Sequence, residues 1–188
     1  MTDNVMTPEF RVSYPYLLSP QQPMANSASK DPKYSVVMLF PKNADISKLK
    51  AAATAAIAEK WGADKAKWPK GLRSPFRNQG EKSSEGYVDG AIFVTATSKQ
   101  KPGVVDASVQ PVIDPSQIYA GCYARATVRA YAYSQQGNNG VAFGLQNFQK
   151  LREGDSLSGR MKPEEEFEPV AAEAGGGEVT SPDEIFGN

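Results

Sequence analysis

The alternation of apolar and polar positions is clearest between residues 119 and 133. One set of alternate positions carries Ala120, Cys122, Ala124, Ala126, Val128, Ala130 and Ala132. The other carries Tyr119, Gly121, Tyr123, Arg125, Thr127, Arg129, Tyr131 and Tyr133. A period of two predicts a β-strand with one small apolar face and one face of rings and guanidinium groups. Residues 33–40 form a continuous β-branched and apolar run ended by Pro41, which predicts a buried strand. Residues 8–18 predict another, with Phe10, Val12 and Tyr14 on one face and Pro15 bending it or holding it at an edge. Ile46, Leu49, Ala53, Ile57 and Trp61 recur at helical spacing. They predict a helix over 46–61, capped by Asp45 or Asn43 and closed by Gly62. Residues 91–97 predict a further strand. Val104, Val105 and 109–113 predict short extended pieces, limited by Pro111 and Pro115. Residues 134–140 predict a hairpin turn, with Gly137 and Gly140 inside it. Residues 141–151 return as a strand, with Val141, Phe143, Leu145, Asn147 and Gln149 on one face.

The order is therefore strand, strand, helix, strand, short strands and a long hairpin, with no repeats. This predicts a mainly β protein with one or two helices: a five-stranded Greek-key barrel of the OB type, spanning residues 1–160 as one domain. Order alone equally allows a generic α+β sheet.

Charge separates the chain into two parts. The 188 residues carry 21 Lys+Arg and 21 Asp+Glu. Residues 1–160 hold 20 basic and 13 acidic side chains, a net of +7, whereas 161–188 hold one basic and eight acidic, a net of −7. The acidic part is rich in Glu, Gly, Ala and Pro, so it buries too little apolar surface to offset its ordering entropy and reads as a disordered tail. It contains Asp183, Glu184, Ile185 and Phe186, acids followed by an apolar pair.

The chain has no histidine. That excludes Ser-His-Asp and Cys-His catalysis, His-ligated zinc and a histidine general base. Asp89, Asp106, Asp114, Glu153 and Asp155 are scattered singly, which weakens a carboxylate-only metal nuclease. No phosphate-loop or dinucleotide fingerprint is present. The reading is of a non-enzyme with neither cofactor nor metal. A single cysteine, Cys122, excludes an internal disulfide and fits a reducing cytoplasm. Neither a secretory leader nor an apolar run of membrane-spanning length is visible.

Rings stack on bases and arginines meet phosphates, so the polar face of 119–133 has the chemistry of single-stranded nucleic acid binding. An exposed strand of an ordinary sheet would also favour Tyr and Thr. Residues 61–82 add a second basic and aromatic region, broken by Pro69, Gly71, Pro75 and Gly80 into an irregular loop. The candidate stacking residues are Tyr119, Tyr123, Tyr131 and Tyr133, with Trp68 and Phe76 from the loop. The candidate phosphate contacts are Arg125 and Arg129, with Lys70, Arg73, Arg77 and Lys82 as a charged wall.

The run from residue 119 to 160 resembles the signature end of a family of bacteriophage single-stranded DNA-binding proteins. The residues that carry the resemblance are Gly121-Cys122-Tyr123, Ala130-Tyr131-Ala132-Tyr133 and the turn from Gly137 to Val141. Gly144 to Lys150 and Gly154 to Arg160 complete it, and residues 34–41 and 61–65 also fit. The resemblance implies an OB-fold that binds single strands without regard to sequence, in phage replication or recombination, in the cytoplasm of an infected bacterium. The tail resembles those of other single-strand binders, in which acids and a Phe dock replication or recombination proteins. Gly187 and Asn188 depart from a pattern that places the aromatic last. A homodimer stays open. So do two alternatives: a virion structural or decoration protein, and a strand-annealing recombination mediator.

Overall fold

The computed structural model describes residues 3–27, 29–158 and 163–171. Eight strands and two helices lie among them. The strands are β1 (Val5–Met6), β2 (Phe10–Gln21), β3 (Lys33–Leu39), β4 (Arg77–Asn78), β5 (Ile92–Ser98), β6 (Gly103–Val105), β7 (Tyr123–Gln135) and β8 (Asn138–Arg152). The helices are α1 (Ser47–Trp61) and a single turn, α2 (Pro163–Glu166).

β2, β3 and β5 pair antiparallel in chain order. β5 then pairs parallel with β8 through Ala96 with Phe143 and Thr97 with Gly144. β8 pairs antiparallel with β7, and β7 returns to β2 through Ala124 with Phe10. Five strands thus close on themselves in the order β2-β3-β5-β8-β7, the Greek-key barrel of an OB-type fold. β1 extends β7 on its outer edge, and β6 lies parallel to β8.

The barrel is filled by alternate residues of its strands. Phe10, Phe40, Phe143 and Phe148 are fully buried, with Phe10 edge-on to Phe40 at 5.8 Å and to Phe148 at 6.2 Å. From β7 come Ala124, Ala126, Val128 and Ala130, all buried as the alternation predicts. Their small size leaves room for α1, which packs mainly on β7 and buries Leu49, Ala53 and Ala56. α1 starts one residue later than its pattern suggests. The N-cap is Ile46, with no side-chain cap bond, so neither Asp45 nor Asn43 caps the helix. Asp45 instead closes a local turn, its carboxylate accepting from the Ser47 amide at 3.0 Å, and the Ser47 side chain and amide together hold that carboxyl below its usual range.

Of the four register shifts in the β2–β3 and β7–β8 pairings, two move residues that the alternation had placed. Tyr14 and Pro15 together oppose Val36, so Tyr14 leaves the Phe10–Val12 face and points to solvent. In β8, Leu145 pairs with Val128 but Asn147 pairs with Thr127, so Gln146 is extra. Beyond it Phe148 and Lys150 turn inward, while Asn147 and Gln149 do not share the face of Val141 and Phe143. The hairpin turn is also shorter than expected. Gln135 pairs with Asn138, and only Gln136 and Gly137 lie between, at φ 49° and 79°. Two central residues with positive φ match the right-handed twist of the strands, so the ladder runs on through Asn138 to Gly140.

Candidate nucleic-acid interface

β7 and β8 form a long two-stranded ribbon whose inner half closes the barrel. Its outer face carries Arg125, Thr127, Arg129 and Tyr131, with both arginines exposed and Tyr131 45% exposed. Toward the hairpin the facing β8 residues are small: Arg129 faces Gly144, Tyr131 faces Ala142 and Tyr133 faces Gly140, whereas Thr127 faces Asn147 and Arg125 faces Gln149. In that half long side chains adjoin short ones, and the Tyr131 ring stays accessible.

The loop region meets this ribbon at the hairpin end. The Arg73 amide donates to the Asn139 carbonyl at 2.9 Å, and the Val141 amide donates to the Arg73 carbonyl at 3.2 Å. Gly140 makes this approach feasible. A Cβ there would lie 2.7 Å from the Tyr133 hydroxyl and 2.8 Å from the Arg73 carbonyl oxygen. Four residues on, Arg77 pairs with Phe93 of β5. The segment 73–78 thus stitches β8 to β5 where those two strands diverge. Between its ends Phe76 drops onto Phe143, edge-on at 5.8 Å.

Three arginines of this surface share one feature. Arg73 donates to the Asn138 side-chain oxygen at 2.8 Å, Arg125 to that of Gln149 at 2.8 Å, and Arg129 to that of Asn4 at 3.2 Å. Gln149 is itself held by the Asp106 and Ala107 carbonyls. An amide oxygen orients a guanidinium without neutralising it, so these three keep their full charge for an incoming anion. Arg77 and Arg152 differ. Arg77 is paired with Glu81 at 2.6 Å, and Arg152 with Glu9 at 2.8 Å, which strengthens its hold on its proton.

The remaining candidates are not gathered here. Tyr119 precedes β7, because Gly121, at φ 116°, and the backbone of Asp155 turn the chain there. Its hydroxyl donates to Glu153, with the Gly154 carbonyl also within reach at 2.9 Å, and accepts from the Gly154 amide at 3.1 Å, while Lys150 lies over its ring at 5.3 Å. Burial first, then Glu153, pushes the Tyr119 hydroxyl up to about 12. Tyr123 sits at the same end, with the Arg152 guanidinium 3.7 Å from its ring centre and Arg11 at 5.8 Å. Trp68 is half-buried, and its indole N–H donates to the Gly62 carbonyl at 2.8 Å, folding the loop back on the end of α1. Lys70 and Lys82 are exposed. Cys122 is buried, and burial raises its thiol, as suits an inert core residue. Asp183, Glu184, Ile185 and Phe186 lie outside the described residues.

Reading by residue type passed over the orienting amides, Asn4, Asn138 and Gln149, since their partners are set by strand pairing. It also passed over Tyr87, whose hydroxyl bonds Ser13 at 2.9 Å and whose ring meets Phe93 at 6.0 Å.

Known proteins resemble this arrangement. The family described as Enterobacter phage Enc34, ssDNA-binding protein, matches residues 3–178. Protein p50 of Acyrthosiphon pisum secondary endosymbiont phage 1 is 32% identical over 158 residues, covering 79% of this chain and 83% of that protein. The single-stranded DNA-binding protein of bacteriophage Enc34, solved in complex with ssDNA, superposes with a TM-score of 0.64. The match has 20% identity and covers 83% of this chain and 89% of that one. The gp2.5 single-stranded DNA-binding protein of bacteriophage T7 gives a TM-score of 0.58 at 17% identity, covering 86% and 99%. The two solved structures share the fold, and the family match runs through the barrel, the hairpin and the basic loop alike. On that match this chain belongs to the family of the Enterobacter phage Enc34 ssDNA-binding protein.

Proposed function

We propose that the protein binds single-stranded DNA without regard to sequence, as a non-enzymatic coat for strands exposed in phage replication or recombination. The observation that carries this reading is the ribbon face. Arg125 and Arg129 share the outer face of β7 with Tyr131, and Arg73 joins the ribbon at its hairpin end. All three are oriented by amides, and Tyr131 stands opposite small residues of β8. Phosphates meet the arginines and bases lie on Tyr131, with Tyr133 next on the same face. Every base has a π-face, so such a platform does not select sequence.

The acidic segment completes the proposal. Tethered to a basic body, it competes with DNA for the arginines at an effective concentration near millimolar. Strand binding then frees Asp183, Glu184, Ile185 and Phe186 for replication or recombination proteins. Deletion of residues 163–188 tests this. The truncated protein should bind oligo-dT more tightly than the full chain at low salt, with the gap closing as salt rises. Equal affinities at low salt would remove the competition and leave the platform standing.

A further inference from the structure

The bulge in β2 has a cost that packing does not offset. Tyr14 sits at φ 43°, in the left-handed region, where a non-glycine residue is strained by its own Cβ. Asn, Asp or Gly would adopt this conformation at lower cost. Pro15 follows it, and the bulge spares the ladder an amide that proline lacks. The Tyr14 ring gains little in return, since it is 56% exposed. A large ring held out to solvent by a strained backbone is displayed, not packed.

What surrounds it fits a display. Ser13 bonds the Tyr87 hydroxyl, Tyr87 packs edge-on against Phe93, and the Arg77 guanidinium lies over Phe93 at 5.4 Å. Tyr14 directly follows Ser13 in the chain, and burial raises the Tyr87 hydroxyl that Ser13 bonds. Tyr14 thus stands beside an aromatic and cationic patch on the outer side of β2, β3 and β5. Arg77 of that patch and Arg73 of the ribbon belong to one segment, 73–78, so that segment joins the two surfaces.

Building on the single-strand reading above, we propose that Tyr14 is a second base-stacking site, which the strand reaches by crossing segment 73–78 from the arginine face of the ribbon. Replacing Tyr14 tests it, because strain and stacking then move in opposite directions. Tyr14→Gly relieves the backbone and removes the ring. Its melting temperature should equal or exceed that of the wild type, while affinity for an oligo-dT of about twenty nucleotides falls ~5–150-fold, the loss of one stack. Tyr14→Phe should keep wild-type affinity. In the unaltered protein, a 5-iodouracil oligonucleotide irradiated in complex should cross-link to the peptide containing Tyr14. A Tyr14→Gly protein with wild-type affinity, or cross-links confined to β7 and β8, would overturn the second site while the ribbon reading stands. A wild-type protein that binds no oligo-dT would overturn both.

Discussion

The distinction between amide-oriented and carboxylate-paired arginines makes a quantitative prediction. Arg73, Arg125 and Arg129 each lean on an amide oxygen, whereas Arg152 is held by Glu9 at 2.8 Å. A phosphate that meets one of the first three releases a condensed cation from the strand. Each such contact on single-stranded DNA contributes about 0.7 to the slope of log affinity against log salt. The triple replacement Arg73→Gln, Arg125→Gln and Arg129→Gln should therefore flatten that slope by about 2. Across a fourfold rise in salt, the wild type should lose roughly 20-fold more affinity than the triple variant. Arg152→Gln should flatten the slope by much less, because a phosphate there must first displace Glu9. Exposed ion pairs and hydrogen bonds contribute on the order of 0–1 kcal/mol each, so both variants should fold. The assay is titration of fluorescein-labelled oligo-dT, followed by anisotropy at several salt concentrations. A triple variant with the wild-type slope would refute the reasoning, as would an Arg152→Gln protein that loses as much slope as any one of the three.

Three further outcomes follow from the packing. Gly140→Ala places a Cβ 2.7 Å from the Tyr133 hydroxyl and 2.8 Å from the Arg73 carbonyl oxygen, so the loop must leave the hairpin. Stability should fall by about 1–3 kcal/mol in urea unfolding, with DNA affinity falling alongside it as Arg73 shifts. Gln79 is fully buried and donates to the Phe40 and Ile92 carbonyls at 2.9 and 2.8 Å while accepting from the Val88 amide at 2.9 Å. Gln79→Leu strands the Phe40 carbonyl and the Val88 amide, while the Ile92 carbonyl keeps the Phe40 amide, and should cost about 2–4 kcal/mol by the same measurement. Burial, and then Glu153, push the Tyr119 hydroxyl up to about 12, above the roughly 10 of a free phenol, so the folded state holds more protons between those values. Its contribution is complete below about pH 10 and drains as pH rises toward about 12; Tyr119→Phe should flatten that alkaline loss in thermal unfolding.

The period of two made the β7 face legible, because the small residues of one side and the long ones of the other report a local geometry that the fold kept. The main strands were legible one by one for the same reason, whereas their pairing into a closed barrel was not, since the order of elements equally allowed a generic α+β sheet. Nor were the bulges. Tyr14 reads in phase with Phe10 and Val12, and only the pairing of Ser13 with Val37 and Tyr16 with Ser35 takes it out of phase. Gln146 likewise puts Phe148 in the core where simple alternation would expose it. Tyr119 continues the tyrosine pattern in sequence, yet Gly121 turns the chain before β7 and commits its hydroxyl to Glu153 and Gly154. The approach of Arg73 to Gly140 spans 67 positions and depends on a missing side chain, which no local period records. Residue type alone marked both Arg125 and Arg77 as phosphate contacts; their partners, an amide and a carboxylate, separate them.

The central claim is that the ribbon face grips single strands through rings and charges together. Titration of oligo-dT and of a matched duplex, followed by gel shift and by quenching of intrinsic fluorescence at low and moderate salt, tests it most directly. The account predicts a strong preference for the single strand, accompanied by quenching and weakened by salt. Binding to neither nucleic acid, by the full chain and by the chain lacking residues 163–188, would contradict it and make the tyrosine and arginine face a surface for protein instead.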